Sequence, residues 1–181
     1  MKICQLCAVD FTLKRLIIPL VDAQLNQGHF VKSVCSFGGH LDDLKRKGYK
    51  IEVIPIERNL SPVKGLVSIW RLFLFFRRES FDVVHVHTPV AAFLARIAAF
   101  FARVPLVVYT AHGFYFHDEM PALKRLIFIS AEIAMRPLTD LLFTQSQEDA
   151  VNAASLKIMN KKRIFYIGTV SYTHLTLPTK A

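Results

Sequence analysis

Nowhere among the 181 residues is there a run of about 18 uncharged apolar residues, the length a membrane-crossing helix needs. The greasiest stretch, 90–109, is broken by Arg96, Arg103 and Pro105, so no spanning helix is expected there. Cysteine is scarce: Cys4, Cys7 and Cys35 are an odd three in apolar, strand-like runs. They form no disulfide framework and suit a reducing cytoplasm. The opening residues reach Asp10 too soon to read as a signal peptide, and a cytoplasmic location is expected. Glycine is also sparse, at 7. None falls in the turn after the first apolar run, which excludes the G-x-G-x-x-G fingerprint of a dinucleotide-dependent dehydrogenase. Acidic residues are few, 14 against 23 basic ones, and the net charge is +9. Such an excess points to an anionic partner, namely a phosphorylated substrate, a membrane surface or nucleic acid. No recognition helix or aromatic platform accompanies the charge, so nucleic acid is the poorer account. Internal repeats and low-complexity tracts are absent.

What is present is an alternation of short apolar runs with longer helical stretches, the signature of βαβ units around a parallel sheet. Strands are expected at about 3–8, 30–36, 50–54, 81–87, 105–110, 140–144 and 163–167. Helices are expected near 13–26, 41–47, 61–79, 88–102, 121–135 and 146–158. Gly28 ends the first helix, as a residue free to take positive φ should. Ser61-Pro62 and Thr88-Pro89 both read as an N-cap followed by proline in the first turn, and Ser146 to Asp149 fits a capping box. Cys4 and Cys7, three apart on an extended strand, point to opposite faces and read as core rather than as a metal-binding pair. The fold class is therefore α/β: a Rossmann-like three-layer domain with a mostly parallel sheet of about seven strands. Residues 169–181 break the pattern. They look like translated sequencing-adapter read-through and are expected to lie outside the domain.

Three segments carry a resemblance. Phe81-Asp82-Val83-Val84-His85-Val86-His87-Thr88-Pro89 is similar to the fourth strand and following turn of the family 4 (GT-B) glycosyltransferases. Tyr109-Thr110-Ala111-His112-Gly113-Phe114 resembles their strand-end histidine motif, especially in members that extend lipid-linked or capsular saccharides. Cys7-Ala8-Val9-Asp10-Phe11-Thr12 with Gly28-His29 matches the start of that subgroup. The three motifs stand in order and span residues 1–168. The resemblance implies the acceptor-side, N-terminal half of a two-domain enzyme, whose second domain holds most of the nucleotide-sugar and is absent here. It implies sugar transfer from a nucleoside-diphosphate donor to a lipid-linked or saccharide acceptor, with retention, and no cofactor or required metal. The 181-residue chain alone is then expected to be inactive. A non-catalytic unit that meets membrane or acceptor, and a sugar-nucleotide 2-epimerase of the same architecture, are the rival readings.

Among individual residues, His112 is the candidate for the chemistry. It follows a strand at the carboxyl edge, where open α/β sheets place ligands. Its imidazole could bond a sugar hydroxyl or steady a departing diphosphate; the resemblance implies contact with the donor sugar. The alternative is a histidine that merely satisfies local backbone. Gly113 would let a ligand approach the backbone, or serve only as a turn. His87 and Thr88 open a helix whose free N–H groups suit sugar or phosphate oxygens, although capping alone explains Thr88. His85 and His87 share one sheet face without further ligands, so no metal is expected, and His85 reads as a core histidine. Asp10, Phe11 and Thr12 occupy the first strand-to-helix turn. Relatives often carry a glycine pair there and this chain does not, so Asp10 is cast as a partner for an acceptor hydroxyl. Finally, 64–78 joins Trp70, Phe73, Phe75 and Phe76 to Lys64, Arg71, Arg77 and Arg78. It reads equally as a face for an anionic membrane, peripheral on the inner side, or as an aromatic core stripe with a solvated basic side.

Overall fold

The computed structural model describes residues 1–56, 62–116 and 119–168. Ser61 and the 169–181 tail therefore lie outside the described residues. Among the described residues seven strands form one sheet: β1 (Lys2–Leu6), β2 (Phe30–Cys35), β3 (Ile51–Val53), β4 (Val83–His87), β5 (Leu106–Ala111), β6 (Leu141–Thr144) and β7 (Ile164–Tyr166). Their order is β3-β2-β1-β4-β5-β6-β7, and every pairing is parallel. The chain first winds outward from β1 to β3, then crosses to β4 and winds the other way. The sheet thus has its switch point between β1 and β4, where a crevice opens above the carboxyl ends of the strands.

Right-handed crossovers put the two winding directions on opposite faces. One face is covered by α1 (Asp10–Thr12), the wide turn Leu13–Ile17, α2 (Ile18–Asn26) and α3 (Leu41–Arg46). Here Leu13, Ile17, Val21, Leu41 and Leu44 pack on Ile3, Cys7, Val31, Cys35, Val83 and Val108. The other face carries α4 (Pro62–Glu79), α5 (Pro89–Ala102), α6 (Ala122–Met135) and α7 (Gln147–Ser155). Its core joins Leu72, Phe75 and Phe76 of α4, the alanines of α5, and Cys4, Leu6, Val84, Val86 and Tyr109 of the sheet. Cys4 and Cys7 do face opposite cores, and all three thiols are free and buried.

Two local expectations are corrected. The first helix is not uniform from residue 13: it begins at Asp10 and widens into a π turn over Leu13–Ile17. Pro19 lies at the start of α2; it has no N–H to donate and its ring crowds the carbonyl one turn back, which a widened turn accommodates. Thr88 does not cap α5. It has φ +65°, outside the range a β-branched residue normally adopts, and its hydroxyl instead accepts a bond from the Ala8 N–H at 3.3 Å. The cap at α7 is as expected, with Ser146 Oγ accepting from the Asp149 N–H at 2.9 Å.

A buried ion pair ties α5 to α6. Arg96 Nη2 meets Glu132 Oε2 at 3.0 Å with the side chains 3% and 13% exposed, Nη1 donates to Thr139 Oγ1, and the guanidinium lies 4.5 Å from the Tyr109 ring centre. Breaking such a pair leaves one charge uncompensated, whereas apolar replacement of both partners is tolerated. Arg96→Met is expected to lower the urea-unfolding free energy by about 3–5 kcal/mol. The double variant Arg96→Met/Glu132→Leu should recover most of that loss.

Candidate functional site

The site is built on β1, β4 and β5, which are neighbours only because of the switch. Parallel register pairs Gln5 with His85 and His87 with Thr110. Residues two apart on a strand share a face, so Gln5, His85, His87 and Thr110 project from the same side of the sheet, with His112 just beyond it. The side chains form a continuous hydrogen-bonded chain. Gln5 Nε2 donates to Gln24 Oε1 at 3.0 Å and reaches His85 Nδ1 at 3.4 Å. His85 Nε2 lies 2.7 Å from Thr110 Oγ1. On the other side, Gln5 Oε1 lies 2.8 Å from His87 Nε2, and His87 Nδ1 lies 3.1 Å from His112 Nε2. The rings also lie close and tilted to one another, with centroids 4.2 Å apart for His85 and His87 and 5.3 Å for His87 and His112.

Burial governs the charge of this chain. Desolvation, with the His112 ring a lesser cause, pulls His85 down to about 3. Desolvation followed by the neighbouring His85 and His112 holds His87 well below the ordinary imidazole value. His112 is also lowered by burial, while the Gln145 side chain acts in the opposite direction. All three rings are neutral at physiological pH. Of the two roles open to His112, bonding a hydroxyl suits this state and supplying a positive charge does not. His112 Nδ1 is covered and makes no hydrogen bond of normal geometry.

Around the histidines stand the other sequence candidates. Gly113 has φ +104° and nothing within 4 Å of where a Cβ would be, so the backbone beside His112 is open on that side and its conformation favours glycine. Thr88 holds a strained backbone between β4 and α5, tied to Ala8 as described. Strain of this kind costs about 1–3 kcal/mol and clusters at functional sites. Asp10 is buried, and both carboxylate oxygens already accept backbone bonds, Oδ1 from Phe11 N–H at 2.9 Å and Oδ2 from His40 N–H at 2.7 Å. A Cβ on Gly38 would fall 2.2 Å from that carboxylate, so Gly38 is the residue that lets the loop close on Asp10. The acidic side chain thus clamps the α3 loop to the first turn. Phe11 is 56% exposed with its ring near His40 and Arg15, and Thr12 is half-buried. The structure brings His87, Thr88, His112 and Gly113 together. Asp10 follows β1 at the same edge but is held by Phe11 and His40, and Phe11 points to solvent.

Sequence reasoning passed over Gln5, which is fully buried, its partner Gln24, and Thr110 and Gln145, which meet His85 and His112. One signal was available: an amide in the middle of the otherwise apolar strand Ile3 to Cys7. Among the described residues no group of three or more His, Cys, Asp or Glu side chains is arranged to hold a metal ion.

A family model, Glycosyltransferase Family 4, matches residues 14–169. The chain belongs to glycosyltransferase family 4. It is 31% identical over 125 residues to the UDP-Gal:alpha-D-GlcNAc-diphosphoundecaprenol alpha-1,3-galactosyltransferase of Escherichia coli, covering 68% of this chain and 32% of that protein. It is 26% identical over 118 residues to the capsular polysaccharide biosynthesis glycosyltransferase CapM of Staphylococcus aureus, covering 65% of this chain and 31% of that one. The chain thus spans about a third of the length of the curated relatives it matches. Among solved structures, Anabaena HepE in complex with UDP and glucose superposes with a TM-score of 0.70 at 16% identity, over 93% of this chain and 44% of that one. A UDP-GlcNAc 2-epimerase from Neisseria meningitidis bound to UDP-GlcNAc gives 0.65 at 15%, over 92% and 46%. At these identities the structural likenesses speak for the fold, and the family model speaks for the family.

The neutral histidines predict a pH dependence. An unfolded imidazole takes up a proton below about 6.5, while His85 in the fold does so only near 3. Stability held by the neutral ring is therefore full above about pH 6.5 and lost as pH falls through that window, by up to about 1.4 kcal/mol per pH unit for each such group. In urea-unfolding curves between pH 6.5 and 5, His85→Asn is expected to flatten the slope by about that amount. Equal slopes would contradict the neutral assignment.

Proposed function

We propose that this chain is the acceptor-side half of a retaining glycosyltransferase. Its donor is a nucleoside-diphosphate sugar and its acceptor a lipid-linked or polysaccharide saccharide of the cell envelope. The observation that carries the reading is the neutral His87–His112 pair at the carboxyl edge beside the switch point, with the open, positive-φ Gly113 next to it. An uncharged imidazole bonds a sugar hydroxyl at little desolvation cost, and it leaves the diphosphate charge to groups on the facing domain of a two-domain protein. The lipid-linked acceptor named for the Escherichia coli relative supports the choice of acceptor class. The epimerase reading rests on fold likeness at 15% identity alone; the transferase reading has the family model and the curated relatives behind it. The complete reading frame, expressed and assayed with sugar nucleotides and undecaprenyl-diphosphate-linked acceptor, is expected to transfer sugar with retained anomeric configuration. His112→Ala should lower kcat by about 10²-fold or more, the usual effect of deleting a preorganised polar contact at a reacting sugar. Interconversion of the free sugar nucleotide without an acceptor would favour the epimerase instead.

The acceptor chemistry gives α4 a second role. The helix divides its apolar residues: Leu72, Phe75 and Phe76 are buried, while Val63, Leu66, Val67, Trp70 and Leu74 are exposed along one stripe, beside the exposed Arg71. No helix among the described residues is long and apolar enough to cross a membrane. The stripe instead suits shallow insertion into an anionic surface, with each nearby cation adding about 1 kcal/mol. Co-sedimentation with phosphatidylglycerol vesicles is expected, and with phosphatidylcholine vesicles it should be much weaker. The double change Trp70→Ser/Arg71→Glu should reduce the anionic binding several-fold; unchanged binding would remove the peripheral-membrane role.

A further inference from the structure

The turn after β1 and the loop after β2 are neighbours at the carboxyl edge, and each holds a phenylalanine out to solvent. Phe11 is 56% and Phe37 85% exposed. Single exposed apolar side chains are ordinary on a protein surface; these two are set by a fixed backbone. Asp10 accepts from the N–H of Phe11 and of His40, and Gly38 leaves the room its carboxylate needs. At the root of the loop the Ser36 N–H donates to the Ala8 carbonyl, and Ser36 Oγ accepts from the Ile56 N–H at 2.8 Å. Phe37 is therefore fastened on both sides. Phe11 adjoins Asp10 and Phe37 adjoins Gly38, so one carboxylate sets both. Groups of both signs stand nearby: the Arg15 guanidinium 5.9 Å from the Phe11 ring centre, the His40 ring at 6.1 Å from it, and the exposed Asp42 in the first turn of α3.

We propose that Phe11 and Phe37 form a stacking platform for a sugar ring of the acceptor, one that lies behind the ring that reacts. The inference deepens the glycosyltransferase reading and rests on it for the sugar's place in an acceptor. The C–H face of a pyranose is apolar and weakly positive, which suits the negative face of an aromatic ring. The hydroxyls on its rim both donate and accept, which suits a border of mixed charge. An anionic membrane fits worse, since Asp42 would repel it. In the strand order β1 and β4 stand between β2 and β5. At about 4.8 Å per strand, the turn after β1 is about 10 Å and the loop after β2 about 14 Å from the end of β5, where His112 follows. A ring on the platform is thus out of reach of His112. It selects and holds the acceptor without touching the reacting atoms.

The test is a titration of the 181-residue chain, carrying ¹³C-labelled phenylalanine, with the methyl α-glycosides of glucose, galactose and N-acetylglucosamine. The ring signals of Phe11 and Phe37 are assigned by their loss in Phe11→Leu and Phe37→Leu. They are expected to shift saturably with at least one glycoside and not with glycerol, which offers hydroxyls without a ring face. Phe37→Leu should weaken that binding by about five-fold or more, and Phe37→Trp, which restores an aromatic face, should bind within about two-fold of wild type. Both changes fall at an exposed position and leave the fold intact. In the complete enzyme Phe37→Leu should raise the acceptor KM and leave kcat and the donor KM in place. Silence with every glycoside would overturn the proposal, as would equal affinity in Phe37→Leu or a loss confined to kcat. So would saturable shifts with uridine alone, the mark of a nucleobase site, or lost binding to phosphatidylglycerol vesicles in Phe37→Leu, the mark of a membrane contact. The titration needs neither donor nor turnover. A silent platform on an active enzyme strikes this inference alone, and saturable shifts on an enzyme that transfers nothing strike the glycosyltransferase reading.

Discussion

A parallel sheet covered on both faces has no water with which to satisfy a polar side chain, so any amide or imidazole inside it must find its partner on a neighbouring strand. Here that constraint falls on Gln5, His85, His87 and Thr110, set on three adjacent strands. Strand order, parallel register and the winding switch are all needed to bring them into one line. A slip of one residue between β1 and β4 would turn Gln5 to the opposite face from the histidines. The network is therefore both a register lock for the centre of the sheet and the base on which His112 stands.

The two ends of the sheet are built differently. At the amino end, Glu79 is held down to about 2 by Lys32 and Lys2. Lys32 also reaches Glu52, which bonds Arg78, and the Lys2 N–H donates to Asp82 at 2.7 Å. This interlaced set of charges ties β1, β2, β3 and α4 together below the strands. At the carboxyl end the pattern differs: Thr88 takes an unfavourable φ, His112 Nδ1 has no regular partner, and Gly113 faces open space. Interlaced ion pairs thus mark one end of the sheet, and Thr88, His112 and Gly113 mark the end where a ligand would arrive.

Much of the architecture was legible in the sequence because period, caps and breakers act locally. All seven strands fall within a few residues of their expected bounds, and the capping Ser146 reads from four consecutive letters. What was not legible depends on neighbours distant in sequence. Thr88-Pro89 has the letters of a helix cap, but its hydroxyl goes to Ala8, a residue 80 positions away. Asp10 resembles a free polar group in a turn, until the α3 loop closes over it through Gly38 and His40. Gln5 reads as a flaw in a greasy strand, and its role follows only from its pairing with His85. The aromatic helix α4 could not be divided from its pattern alone, since core and surface stripes lie side by side on one cylinder; packing against α5 and Phe81 decides which rings are inside.

Among the described residues the sheet ends on both sides in strands of three residues, β3 and β7. Edge backbone is the part of a β structure that recruits foreign strands, and here each margin offers only about one hydrogen-bonding repeat. The domain can be crowded against copies of itself with little opportunity to zip into larger sheets. Association is thereby left to side chains and loops, where it can be selective.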